Sequence, residues 1–86
     1  MKKPMRPKIS NRELLAFGQS LKAYRTAAKL TQEDLADLAN LDRSYVGGVE
    51  RGERNLTLLN LLTLSKALNA RPAQLLAVFD NTIGKP

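Results

Sequence analysis

Between Gln32 and Asn55 the chain carries a set of polar side chains that can recognise but not catalyse: Gln32, then Arg43, Ser44 and Tyr45 in a row, then Arg54 and Asn55. A guanidinium can bond two acceptors at once, an amide both donates and accepts, and a hydroxyl does either. No histidine or cysteine occurs anywhere in the chain, which removes the commonest general base, thiolate chemistry and the usual zinc ligands. With no glycine-rich phosphate loop and no paired-carboxylate pocket, nothing can be cast as nucleophile or base. The chain therefore reads as a non-enzyme with no metal or cofactor.

These residues need elements to hold them. Eighty-six residues, 43% of them apolar, suffice for one small core, and with few aromatics leucine and alanine must fill it, which favours an all-α fold. "SNRE" reads as a capping box, with Ser10 as N-cap and Glu13 three residues on. It opens a first helix whose Leu14, Phe17, Leu21, Tyr24 and Ala28 share one face, while Arg12, Gln19, Lys22, Arg25 and Lys29 point mostly elsewhere. Gly18, beside that stripe, suits the close approach of another helix. Thr31 caps a second helix with Leu35, Ala36, Leu38 and Ala39 on its apolar side, and Asn40 is suited to the left-handed turn that ends it.

Asp42 is expected to cap a third helix, to about Glu50, with Val46 and Val49 facing inward and Gly47 sharing the exposed side with Arg43. Each of Gly47 and Gly48 disfavours a helix interior by about 0.8–1.0 kcal/mol relative to alanine. The first would let the backbone approach a ligand and the second would let a neighbouring helix pack tightly. "RGERN" follows as a polar loop turning at Gly52. Thr57 caps a fourth helix with Leu58, Leu61, Leu64, Ser65 and Leu68 inward. After a turn at Asn69, Pro72 opens a fifth helix at its first position, apolar nearly all round through Leu75, Leu76, Val78 and Phe79.

The formal net charge is +6, and Lys2, Lys3, Arg6 and Lys8 supply four of those charges. Residues 1–9 are thus expected to be a flexible basic arm, either solvated or in contact with phosphate, residues 10–80 the folded domain, and residues 81–86 a frayed tail. No run approaches the roughly 20 apolar residues of a membrane span, and "MKKPMRPK" lacks a signal peptide's apolar segment. The expected compartment is the cytoplasm.

From Gln32 to Arg51 two short helices meet across a tight turn, with Ala36 small enough for the second helix to cross the first. This is a helix-turn-helix, whose second helix enters a DNA major groove. The segment 17–76 resembles the Cro and phage-repressor type of helix-turn-helix protein, also called the xenobiotic-response-element family, through "LTQEDLA", "VERGERN" and "LSKAL" at that family's spacing. Within the family, "NLDRSYVGGVERGERNLT" is similar to the controller proteins of restriction–modification systems. The resemblance implies a five-helix, lambda-repressor-like DNA-binding domain with the motif at helices 2 and 3, acting as a transcriptional regulator on a palindromic operator. Asn40 stands where the family more often has glycine, and Gly47 stands where the family often places a base-contacting side chain.

Gln32, at a helix N-terminus, can bond a phosphate or be a plain exposed glutamine. Arg43 can bond guanine O6 and N7 together, or remain a surface arginine held by phosphate or Asp42. The resemblance implies DNA contacts for Ser44, Tyr45, Arg54 and Asn55, with half-buried core as the alternative for Tyr45. Arg51 is more ambiguous: in that family the Glu-Arg pair often ties down the loop through Glu50, so a structural salt bridge is the plain reading for both Glu50 and Arg51. Glu33, Asp34 and Asp37 match the dipole of the second helix, or form an acidic patch for RNA polymerase. Leu59, Leu62, Leu76, Val78 and Phe79 are the apolar residues left for a homodimer interface. A protein-interaction module or antitoxin is the alternative use of the same fold.

Overall fold

The computed structural model describes residues 11–80. Its helices are α1 (Asn11–Ala27), α2 (Gln32–Ala39), α3 (Arg43–Glu50), α4 (Leu58–Ala67) and α5 (Pro72–Leu76), closed by a 3₁₀ turn, Ala77–Phe79. No strand occurs among the described residues. Ser10, the basic arm 1–9 and the tail 81–86 lie outside them.

The starts of the short helices follow local chemistry. The Thr31 hydroxyl accepts the Asp34 N–H at 3.0 Å and the Asp34 carboxylate accepts the Thr31 N–H at 2.9 Å, which satisfies two amides that α2 would otherwise leave orphaned. Thr57 caps α4 through the Asn60 N–H at 3.0 Å, and Pro72 occupies the first turn of α5. Asp42 does precede α3, but its carboxylate makes no capping bond.

The helix ends share one geometry. Lys29, Asn40, Gly52 and Asn69 have φ between 54° and 75°, and the next amide in each case bonds a carbonyl five residues back: Leu30 to Arg25, Leu41 to Ala36, Glu53 to Gly48 and Ala70 to Ser65, at 2.9–3.1 Å. This left-handed closure ends a helix without leaving its last carbonyls bare. Asn40, Gly52 and Asn69 turn as expected. Lys29 has no such preference, and its turn is held from outside, because Arg25 Nη1 donates to the Leu30 carbonyl at 2.7 Å.

Phe17, Leu21, Leu35, Ala36, Ala39, Val46, Val49, Leu61, Leu64 and Leu75 form the core, with Tyr24, Leu56 and Leu68 packed against it. Three inward assignments need correction. Ala28 is exposed because α1 stops at Ala27. Leu38 is 61% exposed, being about 100° round α2 from the middle of the arc formed by Leu35, Ala36 and Ala39. Leu58, the first residue of α4, is 69% exposed; the buried residues of that helix are Leu61, Leu64 and Ser65.

α1 and α3 meet at Gly18, where an added Cβ would fall on the carbonyl oxygens of Val49 and Glu50. Neither oxygen can retreat, since both belong to the closing turn of α3. Gly18→Ala should therefore lower stability by about 1–3 kcal/mol through overpacking, despite alanine's better helix propensity. Urea unfolding of the variant measures this, with a shifted midpoint at unchanged slope as the expected result.

Candidate nucleic-acid interface

The interface is carried by a buried polar cluster. Arg25 Nε donates to Glu50 Oε2 at 2.6 Å and Nη2 to Oε1 at 3.1 Å, the paired geometry that suits a planar guanidinium. Gln32 Nε2 adds a third donor to Glu50 Oε1 at 2.9 Å. The charged side chains are only 9% and 3% exposed, and no buried side-chain polar atom among the described residues lacks a partner. The Glu50 hydrogen bond holds the Arg25 guanidinium above its already high ordinary pKa, against the opposing effect of burial.

One sequence expectation changes here and another is met. Arg25 does not point outward: it stands one helical turn after the buried Leu21, on the same face of α1. Glu50 and Arg51 are each in a salt bridge, as expected, though not with each other: facing into the core from the end of α3, Glu50 meets Arg25. Arg51 pairs with Glu53 at 3.1 Å on the surface, where both side chains are 59% exposed. The available signal was a basic residue four positions beyond a core leucine. Nothing local tied it to a glutamate 25 residues away.

Arg43 and Ser44 begin α3 and are both exposed. Neither is held by Asp42 or by another described residue. Tyr45, beside them, is half-buried against the core, and its hydroxyl donates to the Asn55 carbonyl at 3.1 Å and accepts from Asn60 Nδ2 at 3.0 Å. Arg54 lies over the Tyr45 ring, 5.3 Å from its centroid, within cation–π range. The structure therefore brings Arg43, Ser44, Tyr45, Arg54 and Asn55 to α3 and the loop behind it.

Gln32 and Gly47 differ from expectation. One amide N–H of Gln32 is committed to Glu50, leaving its second N–H for an outside acceptor. Gly47 is buried rather than on the exposed side: a Cβ there would stand 3.0 Å from Arg51 Nη1 and 3.3 Å from Gln32 Oε1. Because Glu50 draws Gln32 across α3, the two side chains cover the glycine. On α2 the exposed acids Glu33, Asp34 and Asp37 lie on the helix surface, and the Thr31 backbone N–H holds the Asp34 carboxyl below its usual pKa.

Leu59 is 74% exposed on α4, with Leu58 and Leu62, while Leu76 and Val78 are exposed near the end of the domain. Phe79 is partly buried against the core. No helix among the described residues is long and apolar enough to cross a membrane.

Removing one partner of a buried ion pair leaves the other charge uncompensated, a loss of about 3–5 kcal/mol. Glu50→Gln should cost this much in urea unfolding. That is a large share of the roughly 4–13 kcal/mol expected for a domain of this length.

A helix-turn-helix family model matches residues 21–75. The chain is 46% identical to control protein C.SmaI of Serratia marcescens over 65 residues, spanning 76% of this chain and 75% of that relative. It is 39% identical to control protein C.BamHI of Bacillus amyloliquefaciens over 69 residues, 79% of this chain and 85% of that one. The crystal structure of the restriction–modification controller protein C.AhdI from Aeromonas hydrophila matches at a TM-score of 0.74 and 56% identity, covering 74% of this chain and 97% of that one. With two short helices joined at a left-handed Asn40 and an exposed arginine opening the second, the chain belongs to the Cro and phage-repressor type of helix-turn-helix family and is a DNA-binding transcriptional regulator similar to restriction–modification controllers.

Proposed function

We propose that two copies of this chain bind a palindromic operator, as a controller of a restriction–modification operon, through α3 and the loop that follows it. The observation that supports this reading most directly is the exposure of Arg43 and Ser44, unpartnered, at the start of the second helix of the motif. Arg43 is the base reader, bonding guanine O6 and N7, with Ser44 beside it. The second N–H of Gln32 and the first turn of α2 take a phosphate. Arg54 and Asn55 follow the DNA backbone or groove from the loop. Tyr45 contributes its ring as the platform of Arg54, and Gly47 contributes the space that Arg51 and Gln32 fill.

One such helix spans few base pairs, so useful specificity calls for two copies about 34–36 Å apart on one face of the duplex. Leu59, Leu62, Leu76, Val78 and the partly buried Phe79 are the material for a two-fold contact. A regulator of this kind works where its operator is, which supports a cytoplasmic location.

Selection of bound duplexes from a random DNA pool, followed by footprinting, should return two inverted half-sites one helical turn apart. Arg43→Ala should weaken binding to the selected site by roughly 5- to 150-fold, the equivalent of a 1–3 kcal/mol base contact, and relax the preference at one position. A single asymmetric site, together with a monomer in sedimentation at micromolar concentration, would refute the dimer.

The exposed Glu33, Asp34 and Asp37 are proposed to meet RNA polymerase. Charge reversal at Glu33 and Asp37 should then abolish activated transcription while operator binding survives. Joint loss of both would rule out that contact.

A further inference from the structure

Gly47 and Gly48 occupy the middle of an eight-residue helix, where each works against the helix. At Gly48 the structure shows what the glycine makes room for: an added Cβ would lie 2.5 Å from Arg54 Cγ, 3.4 Å from Cδ and 3.7 Å from Cβ. The obstruction is the root of the arginine side chain, so a swing of the distant guanidinium gives no relief. The loop backbone cannot easily back away either. The Gly52 N–H bonds the Val49 carbonyl at 3.0 Å, the Glu53 N–H bonds the Gly48 carbonyl at 2.9 Å, and the Tyr45 hydroxyl holds the Asn55 carbonyl at 3.1 Å. A side chain at position 48 must therefore turn Arg54 about its first side-chain bond and away from the Tyr45 ring.

We propose that Gly48 is a positioning residue for Arg54. The notch it leaves in α3 seats the arginine stem against the recognition helix, and the seated stem aims the guanidinium, stacked over Tyr45, toward the same duplex that Arg43 reads. Specificity thus depends on a residue that itself offers nothing to DNA. This inference rests on the operator-binding role of Arg54.

The test is a double-mutant cycle on the full chain, with fluorescence anisotropy on the selected operator duplex at several salt concentrations and thermal unfolding by circular dichroism. Arg54→Ala should weaken binding on the order of tenfold if it contacts a base edge, or lower the salt slope by about one if it contacts phosphate. Gly48→Ala should reproduce that loss while its unfolding midpoint stays level or rises, because alanine favours the helix. The double variant should bind no more weakly than Arg54→Ala alone.

Wild-type binding by Gly48→Ala, or losses that multiply in the double variant, would overturn the positioning role. If Arg54→Ala binds like wild type, the operator contact itself is wrong and the positioning role falls with it. Should Gly48→Ala fail to fold, the cycle is read in stability: truncating Arg54 restores folding if its stem is the obstruction, and failure to restore it overturns the proposal.

Discussion

Arg25 reaches Glu50 with two of its nitrogens and the Leu30 carbonyl with the third, so one planar group joins α1, the entry to α2 and the end of α3. Desolvating a guanidinium and a carboxylate is expensive, and their attraction offsets that only when the geometry is good and the remaining hydrogen-bonding capacity is used. Both conditions hold here, with Gln32 supplying a further donor to the carboxylate. An apolar pair of the same volume could fill this space, but it would not fix the direction of the three segments. The cluster sets the angle between α2 and α3, and hence where Arg43 stands relative to the α2 N-terminus.

That dependence matters because helices of 8 residues, such as α2 and α3, are too short to persist alone in water. Their stability comes from what surrounds them. The Thr31 and Asp34 box covers the start of α2, left-handed turns at Asn40 and Gly52 close α2 and α3, and Val46 and Val49 anchor α3 in the core. Gly18 completes the support by letting α1 lie directly on the carbonyl end of α3. The recognition helix is thus held mainly by its inner face and its C-terminal end. At its start the side chains of Arg43 and Ser44 are exposed and held by no other described residue.

Much of this frame was legible in the sequence because it is local. Thr31, Thr57 and Pro72 announce helix starts by their own side chains, Asn40, Gly52 and Asn69 announce turns, and the core leucines recur at helical spacing. Sequence misleads where a neighbour distant in the chain decides. Arg25 carries the charge of a surface residue and lies inward because Glu50 meets it. Leu38 and Leu58 are apolar and lie outside the arcs that other helices cover. Lys29 adopts a left-handed turn that its residue type disfavours, held by a hydrogen bond to the following carbonyl. In the candidate site, the exposure of Arg43 and Ser44 was readable from helix phase, whereas the covering of Gly47 depends on Gln32 being drawn across α3 by the same buried carboxylate.

The polar residues accordingly divide by what they are already bonded to. Arg25 and Glu50 are spent inside the protein, and the Tyr45 hydroxyl both donates and accepts within it; Gln32 is half spent, with one N–H on Glu50; Arg43 and Ser44 are unspent. On the proposed reading, discrimination between base pairs falls to Arg43 and Ser44, with Arg54 from the loop, because a donor already satisfied internally gains little by turning to DNA. Long-range attraction has a different source. Four of the six net positive charges lie in residues 1–9 and the remaining chain is nearly balanced, so the basic segment dominates the field that draws the protein toward a polyanion. If α3 reads the operator as proposed, encounter with DNA and choice of site fall to separate parts of the chain, the first weakening with salt for any sequence and the second depending on how rigidly α3 is held.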